Sequence, residues 1–309
     1  VYADNIALLI GVGDYKHINA LEGPTEDVAA LKKVLIDKWG FTAKGIQTLI
    51  DDQATQKNIL DALESLQNRS KAGDNVFVYF SGHGTSAKNT NNNKVVKLLP
   101  YASGAFIPVD FVAPKQDDRV SVEDLKSSLI IGKWHLQPVF KKLEQDRSVF
   151  VVMDSCFSGN AVRTIATAEN KKNEIIKRAT DILANVVGDT IEENTDSADV
   201  IEPPYPYKNL VFISASSDAE VAADMGNSDA YLTLDGKPHG AFTNAFLQVL
   251  NGSEATDTNG DKQLSYLEIR DATEKAIHKF KNDDGTQRYV QMPQILPSAK
   301  ESNANIVYR

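Results

Sequence analysis

The only cysteine of this chain stands at the end of an apolar run. Cys156 follows residues 149–153, Val-Phe-Val-Val-Met, and leads into a polar turn that ends in glycine. A buried strand that stops at a thiol places the thiol at the rim of a sheet, where α/β proteins carry their chemistry. His83 has the same setting, because it follows the apolar run 76–80 and precedes a glycine. A thiol and an imidazole at two strand exits suit a nucleophile and its proton-transfer partner.

The two residues are more informative together than singly. A free thiol is mostly protonated at neutral pH, so a cysteine nucleophile needs a neighbour that removes its proton. His83 could take that proton and later return it to a leaving amine, while the backbone N–H groups of Gly84 and Cys156 could hold an oxyanion. Taken singly, Cys156 is better explained as a small buried apolar residue and His83 as a turn histidine. The matched strand exits favour the catalytic interpretation.

The composition describes an ordinary globular protein of 309 residues, with 42% hydrophobic and 24% charged residues. A net charge of −9 argues against nucleic acid as a partner, and no apolar stretch approaches the roughly 18 residues of a membrane span. A lone cysteine cannot form an internal disulfide, so the fold does not depend on an oxidising compartment. The chain opens without methionine, which suggests a processed or trimmed product. The cytoplasm is favoured as its location, and a secreted or periplasmic one stays open.

Apolar runs alternate with segments of helical periodicity along most of the chain. Strands are predicted at 6–12, 45–50, 75–82, 149–153 and 210–215, and helices at 25–38 (with Thr25 as N-cap), 55–66, 121–131, 136–144, 239–250 and 265–280. This alternation predicts an α/β fold with a mainly parallel sheet covered by helices on both faces. Residues 86–104 are predicted to form an exposed loop, and the polar stretch from Arg163 to Pro206 is predicted to be partly helical at 173–187.

Several motifs carry a family resemblance. Residues 80–84 (Phe-Ser-Gly-His-Gly) and 154–159 (Asp-Ser-Cys-Phe-Ser-Gly) resemble the catalytic motifs of the metacaspase/orthocaspase branch of the caspase-like cysteine peptidases, peptidase C14. Residues 10–15, 214–220 and 240–243 resemble further motifs of that family, and the resemblance covers nearly all of 5–296. It implies a three-layer sandwich around a sheet of about six strands. It also implies one domain over 1–309, made of a large-subunit-like region (about 5–162), a linker (163–208) and a small-subunit-like region (209–296), and a monomer.

The resemblance also implies a first specificity pocket (S1). Asp154 and Asp27 would line it, with Ser81 and Pro24 at other lining positions; relatives often carry cysteine where Pro24 stands. Two carboxylates favour a substrate Arg or Lys, bidentately for Arg, and would repel a substrate Asp. Without the resemblance, Asp27 would be explained as a first-turn acid favoured by the helix dipole. The predicted activity is cleavage of protein or peptide substrates after Arg or Lys.

Two other activities stay open. One is a catalytically silent scaffold that binds basic segments, and the other is a peptidase of this fold with a different P1 preference, such as Asp. The intact thiol and imidazole argue against the scaffold, because a scaffold needs neither.

The linker contains basic residues where relatives are cut into two subunits. Four of them would suit an Arg/Lys-specific pocket: Arg163, Lys172, Lys177 and Arg178. Autoprocessing at one or two of them is therefore predicted. A solvated helix face with acidic neighbours explains the same residues equally well.

Calcium is the one cofactor that the sequence suggests, and no organic cofactor is implied. Asp257, Asn259, Asp261 and Glu268 have the spacing of a calcium-binding loop, but Lys262 stands where such loops need glycine. A polar turn followed by a capping box that starts a helix explains the segment better. Many metacaspases are activated by calcium at an acidic patch, but the matching place after the cysteine carries Arg163. This departure puts the family's calcium site in doubt.

Overall fold

A six-stranded sheet lies at the centre of the structure, a computed structural model. It describes residues 2–85, 104–115, 118–156, 205–217, 220–252 and 256–297, and the backbone of four short strands between them. The strands in chain order are β1 (Asn5–Gly11), β2 (Ile46–Ile50), β3 (Asn75–Ser81), β4 (Gly84–Thr85), β5 (Lys88–Asn89), β6 (Val96–Lys97), β7 (Ala105–Phe106), β8 (Arg119–Ser121), β9 (Ile130–Ile131), β10 (Ser148–Asp154), β11 (Ile176–Lys177), β12 (Asn185–Val187), β13 (Leu210–Ser214), β14 (Ala223–Met225), β15 (His239–Gly240) and β16 (Gln294–Leu296).

The order across the central sheet is β2-β1-β3-β10-β13-β16. Neighbouring strands run parallel except for β13 and β16, which are antiparallel. From β1 the chain first forms β2 on one side of β1 and then crosses over to form β3 on the other side. Such a switch point opens a crevice at the carboxyl ends of the strands, where α/β proteins bind ligands.

The central strands are apolar because both faces of the sheet are covered. Alternate residues of one strand point to opposite faces, so Val76, Val78 and Phe80 of β3 join one core cluster, and Phe77 and Tyr79 join the other. Every residue of β3 is buried. A strand enclosed on both sides reads as a continuous apolar run rather than an alternating one, which is why the sequence identified it.

Helices form the two outer layers. They are α1 (Gly23–Lys38), α2 (Gln56–Arg69), α3 (Val122–Ser128), α4 (Gln137–Leu143), α5 (Ala241–Leu250) and α6 (Tyr266–Ile277). Buried residues of α2, α3 and α4 belong to the first cluster, and those of α1, α5 and α6 to the second. The predicted α/β three-layer fold with about six mainly parallel strands is confirmed.

Three local predictions are wrong. Helix α1 begins at Gly23 rather than after Thr25, because Pro24 fits a first helical turn and the Asp224 carboxylate accepts the N–H groups of Glu22 and Gly23 at 3.1 and 3.3 Å. The helix predicted over 121–131 ends at Ser128 and gives way to β9. The helical interpretation of 173–187 fails where the backbone is described, because β11 and β12 are extended.

Small sheets flank the central one and pair distant segments. One is β4-β7-β9, which holds the chain just after His83, and another is β11-β14-β15. The predicted loop 86–104 contains the paired strands β5 and β6, and the rest of it lies outside the described residues. Among the described helices, none combines the length and apolar character needed to cross a membrane.

Candidate active site

The ends of three central strands bring the predicted site residues together. Ser81 ends β3 and lies between Gly11 of β1 and Asp154 of β10, each its direct partner in the parallel register. His83 and Cys156 each follow two residues after these strand ends. The two predicted catalytic residues therefore leave the sheet side by side, at its carboxyl edge.

His83 is held in one orientation by backbone and side-chain partners. Its Nε2 lies 2.7 Å from the carbonyl oxygen of Asn19, and its backbone N–H donates to the Tyr15 hydroxyl at 2.9 Å. The Tyr15 hydroxyl in turn donates to the carbonyl of Ile107 at 2.8 Å. Because a carbonyl oxygen only accepts, Nε2 must carry the proton. In the neutral ring the lone pair then lies on Nδ1, which is the tautomer needed to accept a proton there.

Cys156 is fully buried, and its sulfur lies against a backbone amide. The N–H of Ala222 donates to Sγ, with 2.7 Å between nitrogen and sulfur. Sγ also lies 3.5 Å from the carbonyl oxygen of Ala222, to which the thiol donates. A hydrogen bond donated to sulfur favours the thiolate, whereas burial favours the thiol. The backbone of Cys156 also touches Gly84, because a Cβ built on Gly84 would lie 2.1 Å from the Cys156 carbonyl oxygen and 3.3 Å from its nitrogen. The two amides predicted to form an oxyanion hole are thus close together.

Asp27 is the centre of the predicted S1 residues. Its side chain is completely buried and accepts hydrogen bonds from the Ser81 hydroxyl at 2.8 Å, from His239 Nδ1 at 2.9 Å and from the Gly240 N–H at 3.1 Å. Pro24 lies one turn earlier on the same face of α1 and is also buried. The helix dipole alone does not explain Asp27, because its partners belong to β3 and β15 rather than to α1.

Asp154 lies at the N-terminus of α5, also fully buried. Its Oδ2 accepts the Thr243 N–H at 3.1 Å and the Thr243 hydroxyl at 2.6 Å. The same hydroxyl is 2.6 Å from the Tyr79 hydroxyl. Unpaired N–H groups in the first helical turn stabilise an anion. The first turn of α5 and the Gly240 amide just before it therefore bind both pocket carboxylates.

The family model described as caspase domain, peptidase C14, matches residues 4–302. The chain belongs to the caspase-domain family. This caspase domain is similar to metacaspases, as its motifs predicted. It is 43% identical over 161 residues to Metacaspase-7 of Arabidopsis thaliana, which covers 50% of this chain and 35% of that one. It is 32% identical over 164 residues to Metacaspase-1 of Plasmodium falciparum, which covers 50% of this chain and 24% of that one.

These two alignments span about a third of the length of Metacaspase-7 and about a quarter of that of Metacaspase-1. Metacaspase-9 of Arabidopsis thaliana aligns more fully, at 24% identity over 87% of this chain and 90% of that one. Among solved structures, protein GSU0716 of Geobacter sulfurreducens superposes with a TM-score of 0.58 and 18% identity, covering 97% of both chains. The structural similarity supports the fold alone.

One of the predicted processing residues lies beside the candidate active site of the caspase domain. Lys177 belongs to β11, which pairs antiparallel with β14 so that Lys177 is the partner of Ala223. Arg163, Lys172 and Arg178 lie outside the described residues. Ala223 directly follows Ala222, whose N–H donates to the sulfur of Cys156.

The predicted calcium ligands are engaged by their own loop. The carboxylate of Asp257 accepts the N–H groups of Gly260 and Lys262, and Asp261 accepts that of Gln263. Glu268 forms a capping box with Ser265 at the start of α6, as the alternative interpretation predicted. Asn259 accepts only from Asp261 among the contacts described. The oxygen atoms suit calcium in type, but the described residues contain no convergent group of three acidic, histidine or cysteine ligands.

The sequence did not predict the roles of four groups at the site. They are the carbonyl of Asn19, the hydroxyl of Tyr15, the amide of Ala222 and the side chain of His239. Two of these are backbone atoms, which carry no signal in a sequence. Tyr15 stood in the 10–15 motif, and the glycine-containing loop of His239 was expected to border the cleft, but neither side chain was assigned a function.

Proposed function

We propose that this caspase domain is a cysteine endopeptidase that cleaves peptide bonds after Arg or Lys. Cys156 acts as the nucleophile, His83 as the acid and base, and the N–H groups of Gly84 and Cys156 as the oxyanion hole. The contact between the Gly84 and Cys156 backbones carries this proposal, because it brings the two strand exits within reach of one substrate carbonyl.

The proposed reaction follows from the ring orientation of His83. Nδ1 accepts the thiol proton of Cys156, and the sulfur attacks the carbonyl carbon of the scissile bond. The carbonyl oxygen becomes an oxyanion that the two backbone N–H groups stabilise. The imidazolium then gives its proton to the leaving amine as the C–N bond breaks, and water hydrolyses the thioester with His83 as base. The proposed reaction needs no organic cofactor, and no step passes through calcium.

The charge at the pocket supports a basic P1 side chain. Asp27 and Asp154 are buried carboxylates near the ends of β3 and β10, and a cationic side chain would compensate their charge. The imidazole of His239 lies against Asp27, with Nδ1 at 2.9 Å from its carboxylate. Its two nitrogens face Asp27 and Asp235, so neither is directed at a substrate carboxylate. This arrangement favours Arg or Lys over Asp at P1.

A matched peptide panel tests the proposal. Three fluorogenic peptides that differ only in Arg, Lys or Asp at P1 would be assayed with calcium and with a chelator, and the Cys156→Ala protein would be the blank. We expect turnover after Arg and Lys, and none after Asp. Turnover after Asp alone would contradict the pocket assignment, and no turnover in any condition would favour the scaffold interpretation.

We also propose that the chain cleaves itself after Lys177. Peptides commonly bind to proteins as an added strand on a sheet edge, and β11 lies in that position on β14. The main chain of Lys177 pairs with Ala223 of β14. The residue before Ala223 is Ala222, whose N–H donates to the sulfur of Cys156. Both His83 and Cys156 are buried, which is consistent with a site that its own chain covers before cleavage.

Lys177→Gln should abolish the main cleavage in the linker, because the glutamine side chain is polar but uncharged and cannot compensate the pocket carboxylates. Intact-mass measurement of purified wild-type, Lys177→Gln and Lys172→Gln proteins would show this. Lys172→Gln is the matched control and should be cleaved as fast as the wild type. Equal cleavage of all three forms and of Cys156→Ala would indicate a foreign protease.

The oligomeric state is carried forward as a proposal as well. We propose a monomer, as the resemblance to metacaspases implies. Sedimentation of the Cys156→Ala protein at micromolar concentration would decide it, since a dimer would double the measured mass.

A further inference from the structure

A buried histidine that the proposed reaction leaves unused touches the predicted S1 pocket. His239 lies in β15, directly before α5, and its side chain is completely shielded from solvent. Nδ1 lies 2.9 Å from Asp27 Oδ1, and Nε2 lies 2.9 and 3.0 Å from the two carboxylate oxygens of Asp235. An ionised carboxylate only accepts hydrogen bonds, so with both carboxylates ionised each ring nitrogen donates and the ring is a cation.

Burial alone would lower the pKa of His239, but the hydrogen bonds and negative charges of Asp27 and Asp235 raise it above the ordinary value of 6.5. Other charged groups lie on the elements packed around β15. Asp224 of β14 is the register partner of Gly240, Asp154 of β10 accepts from Thr243 in the first turn of α5, and Glu26 of α1 pairs with Lys237 at 3.1 Å. The upward influences on the pKa of His239 come from Asp27 and Asp235.

The segment that carries Asp235 is firmly anchored. Asp229 accepts two hydrogen bonds at 2.8 and 2.7 Å from Nη2 of Arg288, and the Leu234 N–H donates to Asn244 at 2.9 Å. The Lys237 N–H donates to Asp235 itself at 3.1 Å. Asp235 is one-third exposed, so it links the buried ring to the surface.

We propose that His239 is a specificity-determining positioning residue of the S1 pocket, where its cation, supported by Asp235, fixes the Asp27 carboxylate in the ionised form that recognises a basic P1 side chain. This inference rests on the proposed Arg/Lys specificity. Asp27 and Asp154 are both buried and accept hydrogen bonds from Gly240 and Thr243, at the start of α5. Two carboxylates that share a site tend to share a proton unless a cation is present. A protonated Asp27 would present a hydrogen-bond donor to a substrate cation and would weaken its binding.

His239→Asn tests the proposal, because asparagine keeps a donor near Asp27 but removes the cation and the link to Asp235. We expect KM for the Arg peptide to rise about tenfold near pH 6 while kcat changes less than about twofold, a pattern that marks lost binding. In this variant KM should fall as the pH rises from about 6 toward about 8, because a higher pH favours the ionised carboxylate of Asp27 that the missing cation no longer stabilises. In the wild type KM should stay nearly constant over that range.

Asp235→Asn should give a smaller effect in the same direction, about threefold in KM, and should add nothing in the His239→Asn background, because Asp235 acts through the ring. His135→Asn is the control, since it removes a hydrogen-bonded histidine that is half-buried and lies in the opposite layer. Thermal unfolding of each variant reports on folding. If His239→Asn does not fold, Asp235→Asn tests the proposal in its place, and its KM should fall as the pH rises.

A third measurement does not need activity. Nitrogen-15 NMR of the imidazole in the Cys156→Ala protein should show His239 protonated at neutral pH, and Asp235→Asn should lower the pH at which it loses its proton. A neutral ring at pH 7, or an unchanged KM in His239→Asn at every pH, overturns the proposal while leaving Arg/Lys cleavage intact. A wild type that cleaves neither basic peptide overturns the proposed specificity, and this inference with it.

Discussion

Cys156→Ala is expected to lower kcat for the Arg peptide by about 10⁴-fold or more, the scale seen when a covalent nucleophile is removed. The chain has no second cysteine that could take over. His83→Ala should cost about as much, and the double variant should lose no more than either single one, because a nucleophile and its base act as a unit. Steady-state turnover at enzyme concentrations high enough to see the residual rate would measure all three.

Ser155→Ala provides the control for the Cys156 variant. Ser155 is the adjacent residue, and its hydroxyl is buried without a hydrogen-bond partner among the described residues. Removing an unsatisfied buried hydroxyl costs little and can stabilise a protein. We expect kcat to stay within about twofold of the wild type. Comparable losses in Ser155→Ala and Cys156→Ala would mean that the strand end, not the thiol, supports turnover.

The sequence predicted the strands and their exits because these signals are local. An enclosed strand such as β3 is a continuous apolar run, and a glycine turn after it marks the exit. Once the strands are parallel, their carboxyl ends share one edge of the sheet, so His83 and Cys156 were expected to meet. The structure adds the order of the strands, which places β3 and β10 next to each other.

What the sequence could not predict depends on contacts between distant parts of the chain. The N–H groups at the start of helix α1 donate to the carboxylate of Asp224, about two hundred residues later in the chain. The nearby sequence shows only Thr25 as a residue suited to an N-cap, so the helix was predicted to begin there. His239 and Asp27 are 212 positions apart. Nothing near either residue indicates that they form an ion pair, since pairing of this kind follows from tertiary packing alone.

The calcium loop shows the opposite case, in which a sequence pattern overstates a ligand. Its oxygen-bearing residues have suitable spacing, but local backbone N–H groups compete for the same oxygens. Short polar side chains often satisfy nearby amides in this way. Calcium activation therefore stays a prediction that these residues do not support on their own.

Gly84→Ala is expected to lower kcat for the Arg peptide about 100-fold, the scale expected when catalytic groups move by about 1 Å. The new Cβ would lie 2.1 Å from the carbonyl oxygen and 2.9 Å from the carbonyl carbon of Cys156. Both are main-chain atoms that cannot rotate away, so the exits of β3 and β10 must separate. Overpacking of this kind should also cost about 1–3 kcal/mol of stability.

Gly73→Ala separates the clash from a general backbone effect. Gly73 lies before β3, at the other end of the strand from the site, with a φ of +87° and no atom within 4 Å of an added Cβ. Its replacement should cost about 1 kcal/mol through backbone strain and leave kcat unchanged. Chemical denaturation and steady-state kinetics on both variants give the comparison. If Gly84→Ala loses stability but keeps full kcat, the two strand exits are not coupled in catalysis, and the shared carbonyl site on which the reaction depends is wrong.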